Sequence, residues 1–292
     1  MKIDPEILVH PYIPGALLGV TGDDAATFLQ GQFTNDLSKL AAGEAAYGLW
    51  LDRKGRVLAD STVVRRRDGP GYWIVSLYSD GSTLGQHLSD HVIADEVEIQ
   101  DETGAWAGMA LMGSGAGEVL GAAGLPGFSF PGRRGGGESW EWLYPRAAQD
   151  AAGAFLAGRS EVPAAAMELR RIRALIPRVP ADIGPADLPN EGGLDAVAIS
   201  YSKGCYLGQE VMARIKALGR VRRTLVRVAG PGTAPVTPAA LWNGSARAGE
   251  LRSVAAAPDG FEGLALVPVG TASAGTPLAL KSGGPADVTL ST

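Results

Sequence analysis

The sequence has little cysteine, little histidine and no long apolar run. Its 292 residues include one cysteine, Cys205, and three histidines. One cysteine excludes an internal disulfide framework and any metal site that a single chain builds from cysteines alone. No stretch approaches the roughly 20 apolar residues that a membrane-spanning helix needs, and no basic region leads into an apolar one at the N-terminus. These absences predict a cytoplasmic protein that does not contact a membrane.

An excess of basic charge is also lacking. The 26 lysines and arginines are outnumbered by 31 acidic residues, which gives a formal net charge of −5 and argues against direct binding to nucleic acid. A hydrophobic share of 46% with a charged share of 20% indicates a folded globular chain rather than a disordered one. The 41 glycines and 19 prolines predict many tight turns between short strands.

Hydrophobic spacing predicts helices and antiparallel strands in irregular order, which indicates an α+β fold. Helices are predicted near residues 22–31, 82–93, 146–157, 163–176 and 206–218, and strands near residues 57–64, 72–78, 96–100, 105–112, 139–144 and 197–201. The Gly-rich segment 131–137 is predicted to be a flexible hairpin loop. From Val221 onward, short alternating strands predict an antiparallel barrel or sandwich. We therefore expect one region over residues 1–220 and a C-terminal region over residues 221–292.

Two of the three histidines, His87 and His91, are four residues apart on a predicted helix. This spacing can hold one metal ion. However, no glutamate follows the first histidine and no third ligand is near in the sequence. A solvated helical face is therefore the preferred interpretation of this pair.

Cys205 lies in the segment that carries the most chemical information. The amphipathic pattern that follows places Cys205 at or just before a helix N-terminus, where free amides and the helix dipole favour an anion. Lys203 adds a positive charge two residues earlier. Both effects lower a thiol pKa and raise its reactivity. The alternative is that Cys205 is simply a small buried apolar residue.

This segment resembles the signature of the YgfZ family, the folate-binding, iron–sulfur-related branch of the glycine cleavage T-protein superfamily. The matching octet consists of Lys203, Gly204, Cys205, Tyr206, Leu207, Gly208, Gln209 and Glu210, followed by Arg214. Similar blocks occur in the same order at residues 29–36, 52–60, 171–177 and 188–194. The resemblance runs from about residue 17 to residue 228.

The resemblance implies a T-protein-like fold, with two intertwined α+β subdomains around a folate-sized cavity and a C-terminal antiparallel β-barrel. It implies tetrahydrofolate binding and a role in assembly or repair of iron–sulfur enzymes, chiefly 4Fe–4S ones, including those that modify tRNA. Cys205 would be a redox thiol or the ligand of an iron–sulfur cluster shared with a partner. The implied partners are reduced folate, an A-type iron–sulfur carrier and client 4Fe–4S enzymes. The alternative is a folate-dependent aminomethyl or one-carbon transferase, so whether the chain is an enzyme stays open.

Within the octet, each residue type has an expected role. Gly204 and Gly208 permit close approach of backbone around the thiol. Gln209 and Glu210 either line the site or satisfy amides of the first helical turn. Arg214 either meets an acidic group of a partner or pairs with Glu210 one turn away.

Four residues are the expected contacts of folate. Asn35, Arg56 and Asp60 are candidates for the cavity, with Arg56 facing a folate carboxylate; a structural role in turns is the alternative for all three. Arg173 stands where the family has a glutamate or glutamine that accepts hydrogen bonds from the pterin. Because a guanidinium accepts none, this change counts against folate binding, and a scaffold that no longer binds folate is a further alternative. Ala59 replaces one acid of a T-protein pair, which counts against aminomethyl transfer.

Overall fold

The computed structural model describes residues 7–219, 221–271, 273 and 275–291. The helices are α1 (Ala25–Gln32), α2 (Gly81–Ser89), α3 (Ala116–Ala122), α4 (Gln149–Leu156), α5 (Ala164–Arg173), α6 (Asp195–Ala198) and α7 (Gln209–Leu218). They alternate irregularly with three largely antiparallel sheets, so the α+β prediction is confirmed. No helix in these residues is long and apolar enough to cross a membrane.

The chain crosses between the first two sheets, which makes the two units intertwined. The first sheet has the order β10-β1-β7-β9-β8 and consists of β1 (Leu8–Tyr12), β7 (Trp106–Met112), β8 (Phe128–Pro131), β9 (Ser139–Pro145) and β10 (Ser160–Glu161). The second has the order β3-β4-β5-β2-β6 and consists of β2 (Ala16–Thr21), β3 (Ala45–Leu51), β4 (Val57–Arg65), β5 (Tyr72–Ser76) and β6 (Glu98–Asp101). After β1, the chain completes the second sheet and then returns to the first.

The second sheet is buried on both faces. On one face, Ala59 and Val63 of β4 pack with α1 and α2 residues such as Leu29 and Leu84. On the other face, Val64 packs in a cluster with residues of the first sheet. Because side chains alternate along a strand, Asp60 and Thr62 point to the same side as Val64. A polar residue on this side therefore faces the space between the two sheets.

The third sheet forms a nearly closed barrel, as the alternating pattern predicts. Its order is β12-β13-β14-β11-β16-β15, with β11 (Arg223–Gly230), β12 (Ala239–Asn243), β13 (Ala246–Ala257), β14 (Gly260–Pro268), β15 (Pro277–Leu278) and β16 (Val288–Ser291). A bridge between Trp242 and Ala279, with N···O distances of 2.9 and 2.8 Å, joins its two edges. The barrel begins at Arg223. The division between residues 220 and 221 stays a prediction, since Arg220 lies outside the described residues.

Two element predictions next to the octet need correction. The predicted strand at residues 197–201 is wrong, because Asp195–Ala198 form the short helix α6. Its end is held by long-range bonds to Thr34, whose hydroxyl donates to the Ala198 carbonyl at 2.7 Å. The following helix, α7, starts at Gln209 rather than near 206, after Gly208 with φ of +85°. It ends, as predicted, at Gly219.

Helix α5 ends earlier than the predicted residue 176. Leu175 has φ of +53° and is the one non-glycine residue among those described with a positive φ. This left-handed conformation breaks the helix, and it disfavours a side chain with a Cβ.

Candidate functional site

The loop that carries Cys205 is fixed to the rest of the chain by Lys203. The Lys203 Nζ donates to the carbonyl oxygens of Gln30 at 2.8 Å, Phe33 at 2.6 Å and Asn35 at 2.9 Å. These contacts use all three protons of the ammonium group. Burial lowers the pKa of Lys203 to about 8, so the group still carries its charge at pH 7. Lys203 is therefore an anchor of the loop, and its expected effect on the thiol pKa stays a prediction.

Further backbone bonds hold this loop on both sides of Lys203. On the N-terminal side, the Ser200 amide donates to the Thr34 carbonyl at 3.0 Å, and the Thr34 hydroxyl also accepts from the Leu49 amide at 2.8 Å. On the C-terminal side, the Leu207 amide donates to the Gly31 carbonyl at 3.1 Å. The loop thus has a defined position against α1 and the segment that follows α1.

Cys205 is exposed on this anchored loop. The alternative of a small buried apolar residue is therefore wrong. Its helix placement also differs from the prediction, since the N-cap of α7 is Gly208, three residues later. The cysteine borders a mostly apolar, open depression, which we call the thiol groove. The groove is lined by Ala26, Thr27, Gln30, Gly31, Leu37, Ser38, Arg65, Tyr72, Gly204 and Cys205.

The two octet glycines differ in what they permit. Gly208 has a positive φ, and a Cβ there would lie 2.8 Å from the Asp52 carbonyl oxygen, so only glycine fits without a shift. This close approach of α7 to the turn between β3 and β4 matches the expectation for Gly208. At Gly204, no atom lies within 4 Å of a built Cβ. Gly204 instead leaves the groove open beside the thiol.

The other octet side chains contact the site to different degrees. The Tyr206 ring is buried, 5.4 Å from the Lys203 Nζ. The Gln209 amide reaches the Gly204 carbonyl at 3.5 Å, while Glu210 and Arg214 are exposed. Among the described residues Arg214 forms no ion pair with Glu210, so its predicted pairing along the helix is not present. Arg214 remains available to an acidic partner.

A second candidate site is a cavity between the first two sheets, which we call the inter-sheet cavity. It is partly open to solvent. Its walls come from β3, β4, β5, β8, β9, α5 and the adjoining loops. Its polar residues are Tyr47, Asp60, Ser61, Thr62, Tyr78, Arg133, Arg134, Glu141 and Arg171. No residue of the barrel lines the part of this cavity that the described residues enclose.

Asp60 is the one predicted folate residue that lines this cavity. Its carboxylate accepts hydrogen bonds from the Tyr47 hydroxyl at 2.9 Å, from Ser79 at 3.1 Å and from Ser76 at 3.2 Å. Burial raises the pKa of Asp60, and these three donors oppose that shift. The result is a buried acid held in a fixed orientation.

The other three predicted folate residues lie elsewhere. The Asn35 amide donates to the Tyr47 carbonyl at 2.9 Å, which fits the alternative of a structural role. Arg56 donates to the Ala186 carbonyl at 2.8 Å and does not face the cavity. Arg173 pairs with Glu262 on the barrel, with Nη2···Oε1 of 2.5 Å. The expectation that Arg56 and Arg173 contact folate in this cavity is therefore corrected. Arg56 bonds to a backbone carbonyl outside the cavity, and Arg173 pairs with a residue of the barrel.

Sequence reasoning missed Arg133, Arg134 and Glu141, which also line the inter-sheet cavity. The segment 131–137 is not a free hairpin, because Arg134 makes a buried ion pair with Glu141, with Nε···Oε1 of 2.7 Å. The available signal was the pair of arginines inside a glycine-rich turn. The acidic partner of Arg134 lies seven residues further on, across the hairpin.

The thiol groove and the inter-sheet cavity lie on opposite faces of the second sheet. Arg65 lines the groove, whereas Asp60 and Thr62 line the cavity, as the alternation along β4 requires. The thiol therefore does not line the inter-sheet cavity. Hydrogen bonds connect the two sites, because the Asn35 carbonyl accepts from Lys203 and the Asn35 side-chain amide donates to the Tyr47 carbonyl.

Comparison with known proteins then establishes the family. Residues 16–125 match the family model for the GCVT N-terminal domain. The chain is 31% identical over 228 residues to "tRNA-modifying protein YgfZ" of Edwardsiella ictaluri (strain 93-146), which covers 73% of this chain and 68% of that protein. The chain belongs to the YgfZ family. It is also 30% identical over 244 residues to the human "Iron-sulfur cluster assembly factor IBA57, mitochondrial", covering 77% of this chain and 67% of that protein.

A solved structure confirms the T-protein-like fold of this YgfZ-family chain. The crystal structure of glycine cleavage system aminomethyltransferase T from Bartonella henselae aligns with a TM-score of 0.80 and 21% sequence identity. The alignment covers 98% of this chain and 85% of that chain. At this identity the likeness establishes the arrangement of the sheets and the barrel, not the chemistry.

The histidine pair of this YgfZ-family chain has no third partner. The two rings lie 4.8 Å apart, and the Nδ1 of His91 bonds to the His87 carbonyl at 2.8 Å. The described residues contain no group of three or more histidine, cysteine, aspartate or glutamate side chains that could hold a metal ion. Burial, together with the charge of His91, lowers the pKa of His87 from 6.5 to about 4.

We expect this pair to destabilise the protein in acid. The unfolded chain binds a proton at His87 below about pH 6.5, whereas the folded chain does so only near pH 4. Stability is therefore fully present above pH 6.5 and falls as the pH drops towards 4. Between pH 6.5 and pH 4, the free energy of unfolding of His87→Gln should fall by about 2 kcal/mol less than that of the wild type, after allowance for solvent screening. Urea denaturation at each pH measures the difference.

His10→Gln is the control for this measurement. The Nδ1 of His10 bonds to the Val162 carbonyl at 2.8 Å, far from α2 in the fold. Its pH profile should follow that of the wild type. If the free energy of unfolding falls equally with pH in wild type and in His87→Gln, the assignment of the acid sensitivity to His87 is contradicted.

Proposed function

We propose that this chain is a tetrahydrofolate-binding protein that acts in the assembly or repair of iron–sulfur enzymes, chiefly 4Fe–4S ones, including those that modify tRNA. Cys205 would be its reactive or cluster-ligating residue. The observation that supports the proposal most directly is the exposed Cys205 on a loop that Lys203 fixes in place. The printed names of its relatives, a tRNA-modifying protein and an iron–sulfur cluster assembly factor, point to the same process.

One thiol supplies one of the four ligands that a cluster needs. A cluster at Cys205 would therefore take its remaining ligands from an A-type carrier or from glutathione, with the cluster as cargo passed on to a client enzyme. The open, mostly apolar thiol groove beside Cys205 leaves room for such a partner. The other role of Cys205 under this proposal is that of a redox thiol toward the same clients.

Folate would occupy the inter-sheet cavity rather than the thiol groove. A reduced folate offers N–H donors on its pterin and carboxylates on its glutamate. The cavity provides an acceptor for the pterin donors in Asp60. The other lining acid, Glu141, is already paired with Arg134. The polar groups present therefore suit a folate, even though Arg173 points away.

Anaerobic spectroscopy tests the proposal. Purified protein is mixed with a cluster-loaded A-type carrier, and visible absorbance and circular dichroism are recorded. We expect a new spectrum that differs from that of the carrier alone and does not form with Cys205→Ser. Ser202→Ala is the matched control, because Ser202 lies on the same loop and contacts only the Ser200 hydroxyl, at 3.4 Å, among the described residues. An identical spectrum with wild type and Cys205→Ser would exclude Cys205 as a cluster ligand.

A further inference from the structure

We propose that the thiol groove docks an acidic segment of a partner protein, whose carboxylates meet Arg65 and Lys39 beside Cys205. This proposal rests on the proposed function and extends it, because it states the chemistry of the protein that reaches the thiol. Neither cation belongs to the octet, and both lie more than 130 residues before Cys205 in the sequence. The fold brings them to the same groove.

A positive charge lies in the groove together with the thiol. Arg65 is the last residue of β4, and it lines the groove with Cys205. Its guanidinium has a defined position, because Nη1 donates to the Leu40 carbonyl at 2.8 Å. A guanidinium that is already held in place pairs with a carboxylate at a reduced cost in side-chain entropy. Arg65 is therefore suited to receive an acidic side chain of a partner.

Further cations lie near Arg65. Lys39 is exposed and directly follows Ser38, which is another residue of the groove wall. Arg67 is also exposed and lies against Gly43, whose amide donates to the Arg65 carbonyl at 2.7 Å. Among the residues that the structure describes, none of these three cations forms an ion pair with a carboxylate. They give this end of the groove a positive charge within a chain whose formal net charge is −5.

The two acids of the loop after α1 bind donors of that loop and of α1 itself. The Asp36 carboxylate accepts from the Ser38 hydroxyl at 2.7 Å and from the Gln30 side chain at 2.9 Å, and these bonds help to lower the pKa of Asp36 to about 2. The Glu44 carboxylate accepts from the Ala41 amide at 2.9 Å. Because three cations stand against these two acids, the loop and the end of β4 together keep an excess of positive charge.

An acidic protein segment matches this surface better than a nucleic acid does. The rest of the groove wall is mostly apolar, with Ala26, Leu37 and Tyr72 among its residues. A nucleic acid gains its affinity from many phosphate contacts in a row, whereas here the cations are few and acids lie between them. A protein segment offers both carboxylates and apolar side chains. Charge complementarity of this kind speeds the encounter with a partner and fixes its orientation.

Disulfide exchange with two synthetic peptides tests this proposal. Each peptide carries one cysteine activated as a 2-thiopyridyl disulfide, with glutamates on both sides of it in one peptide and glutamines in the other. The thiolate of Cys205, the single cysteine of the chain, attacks the peptide sulfur, and the broken disulfide releases 2-thiopyridone, which absorbance measures. We expect the acidic peptide to react roughly 10-fold faster at about 20 mM salt, and most of this preference to vanish at about 1 M salt.

Variants assign the preference to the two cations. Arg65→Gln and Lys39→Gln should each reduce the ratio of the two rates about 3-fold. Because the same thiolate attacks both peptides, this ratio does not depend on the pKa or the exposure of the thiol. Lys39→Gln removes no bond within the described residues, so it stays informative if Arg65→Gln unfolds. Arg66→Gln is the matched control, because Arg66 is paired with Asp68 at 3.1 Å and its guanidinium lies 4.3 Å from the Trp73 ring centroid.

The outcomes are distinguishable from those of the proposed function. Equal rates for the two peptides, or an unchanged ratio in both Arg65→Gln and Lys39→Gln, overturn the proposal. It is also overturned if transfer RNA inhibits the reaction more strongly than the acidic peptide with serine in place of cysteine, compared at equal charge, because the groove then prefers a nucleic acid. A preference that depends on both cations supports the acidic partner whatever the spectrum of Cys205→Ser with the carrier shows.

Discussion

We expect the variant Cys205→Ser to stay folded but to lose the ability to sustain the activity of 4Fe–4S enzymes. Cys205 is exposed and takes no part in the bonds that fix its loop, so the exchange of sulfur for oxygen should change the free energy of unfolding by less than about 0.5 kcal/mol. A serine hydroxyl is a far weaker nucleophile and iron ligand than a thiolate. The proposed chemical function would therefore depend on one atom that the fold does not need.

A strain that lacks the gene provides the measurement. Wild type should restore the activity of a 4Fe–4S enzyme and the tRNA modification that depends on one, whereas Cys205→Ser should restore less than about a tenth of either. Ser202→Ala, on the same loop, should behave as wild type. Full restoration by Cys205→Ser at matched protein levels would overturn the central role of the thiol.

What the sequence revealed of this site was local. The octet from Lys203 to Glu210 identifies the thiol, and the turn at Gly208 follows from neighbouring residues. The predicted strand at residues 197–201 failed because Thr34, more than 160 positions away, binds the backbone of that segment. No local pattern of hydrophobic residues contains this contact.

The predicted folate residues also show that local sequence patterns do not reveal long-range contacts of side chains. Asp60, which the resemblance suggested, does line the inter-sheet cavity, and its contact with folate stays a prediction. Arg56 and Arg173 were misplaced because their partners, the Ala186 carbonyl and Glu262, come from distant parts of the chain. Arg133 was missed because a glycine-rich turn predicts mobility. The loop is ordered because Arg170 of α5 binds the Gly135 carbonyl and Glu141 of β9 binds Arg134.

Lys203 is the residue where function and stability were easiest to confuse. Its place two residues before the cysteine suggests a charge partner, but its Nζ makes three bonds to carbonyls 168 to 173 residues away. A lysine in this environment ties the octet loop to the end of α1. Its removal should therefore act on folding first and on the thiol as a consequence.

We expect Lys203→Met to lower the free energy of unfolding by about 3 kcal/mol. Methionine fills a similar volume, but it leaves the carbonyls of Gln30, Phe33 and Asn35 without their donor, and hydrogen bonds to a charged group contribute about 1.5–3 kcal/mol each before relaxation and hydration. Lys216→Met is the matched control. The Lys216 Nζ lies 3.7 Å from the centroid of the Tyr201 ring on an exposed part of α7, so its loss should change stability by less than about 1 kcal/mol.

Urea denaturation of the two variants decides between the roles of Lys203, and the rate of Cys205 alkylation by iodoacetamide provides a second readout. If Lys203 anchors the loop, Lys203→Met is destabilised and its thiol reacts at least as fast as in wild type, because the loop is released. If Lys203 instead activated the thiol directly, stability would stay near that of wild type and alkylation would slow. The three carbonyl contacts favour the first result, since they hold the ammonium on the backbone of Gln30, Phe33 and Asn35.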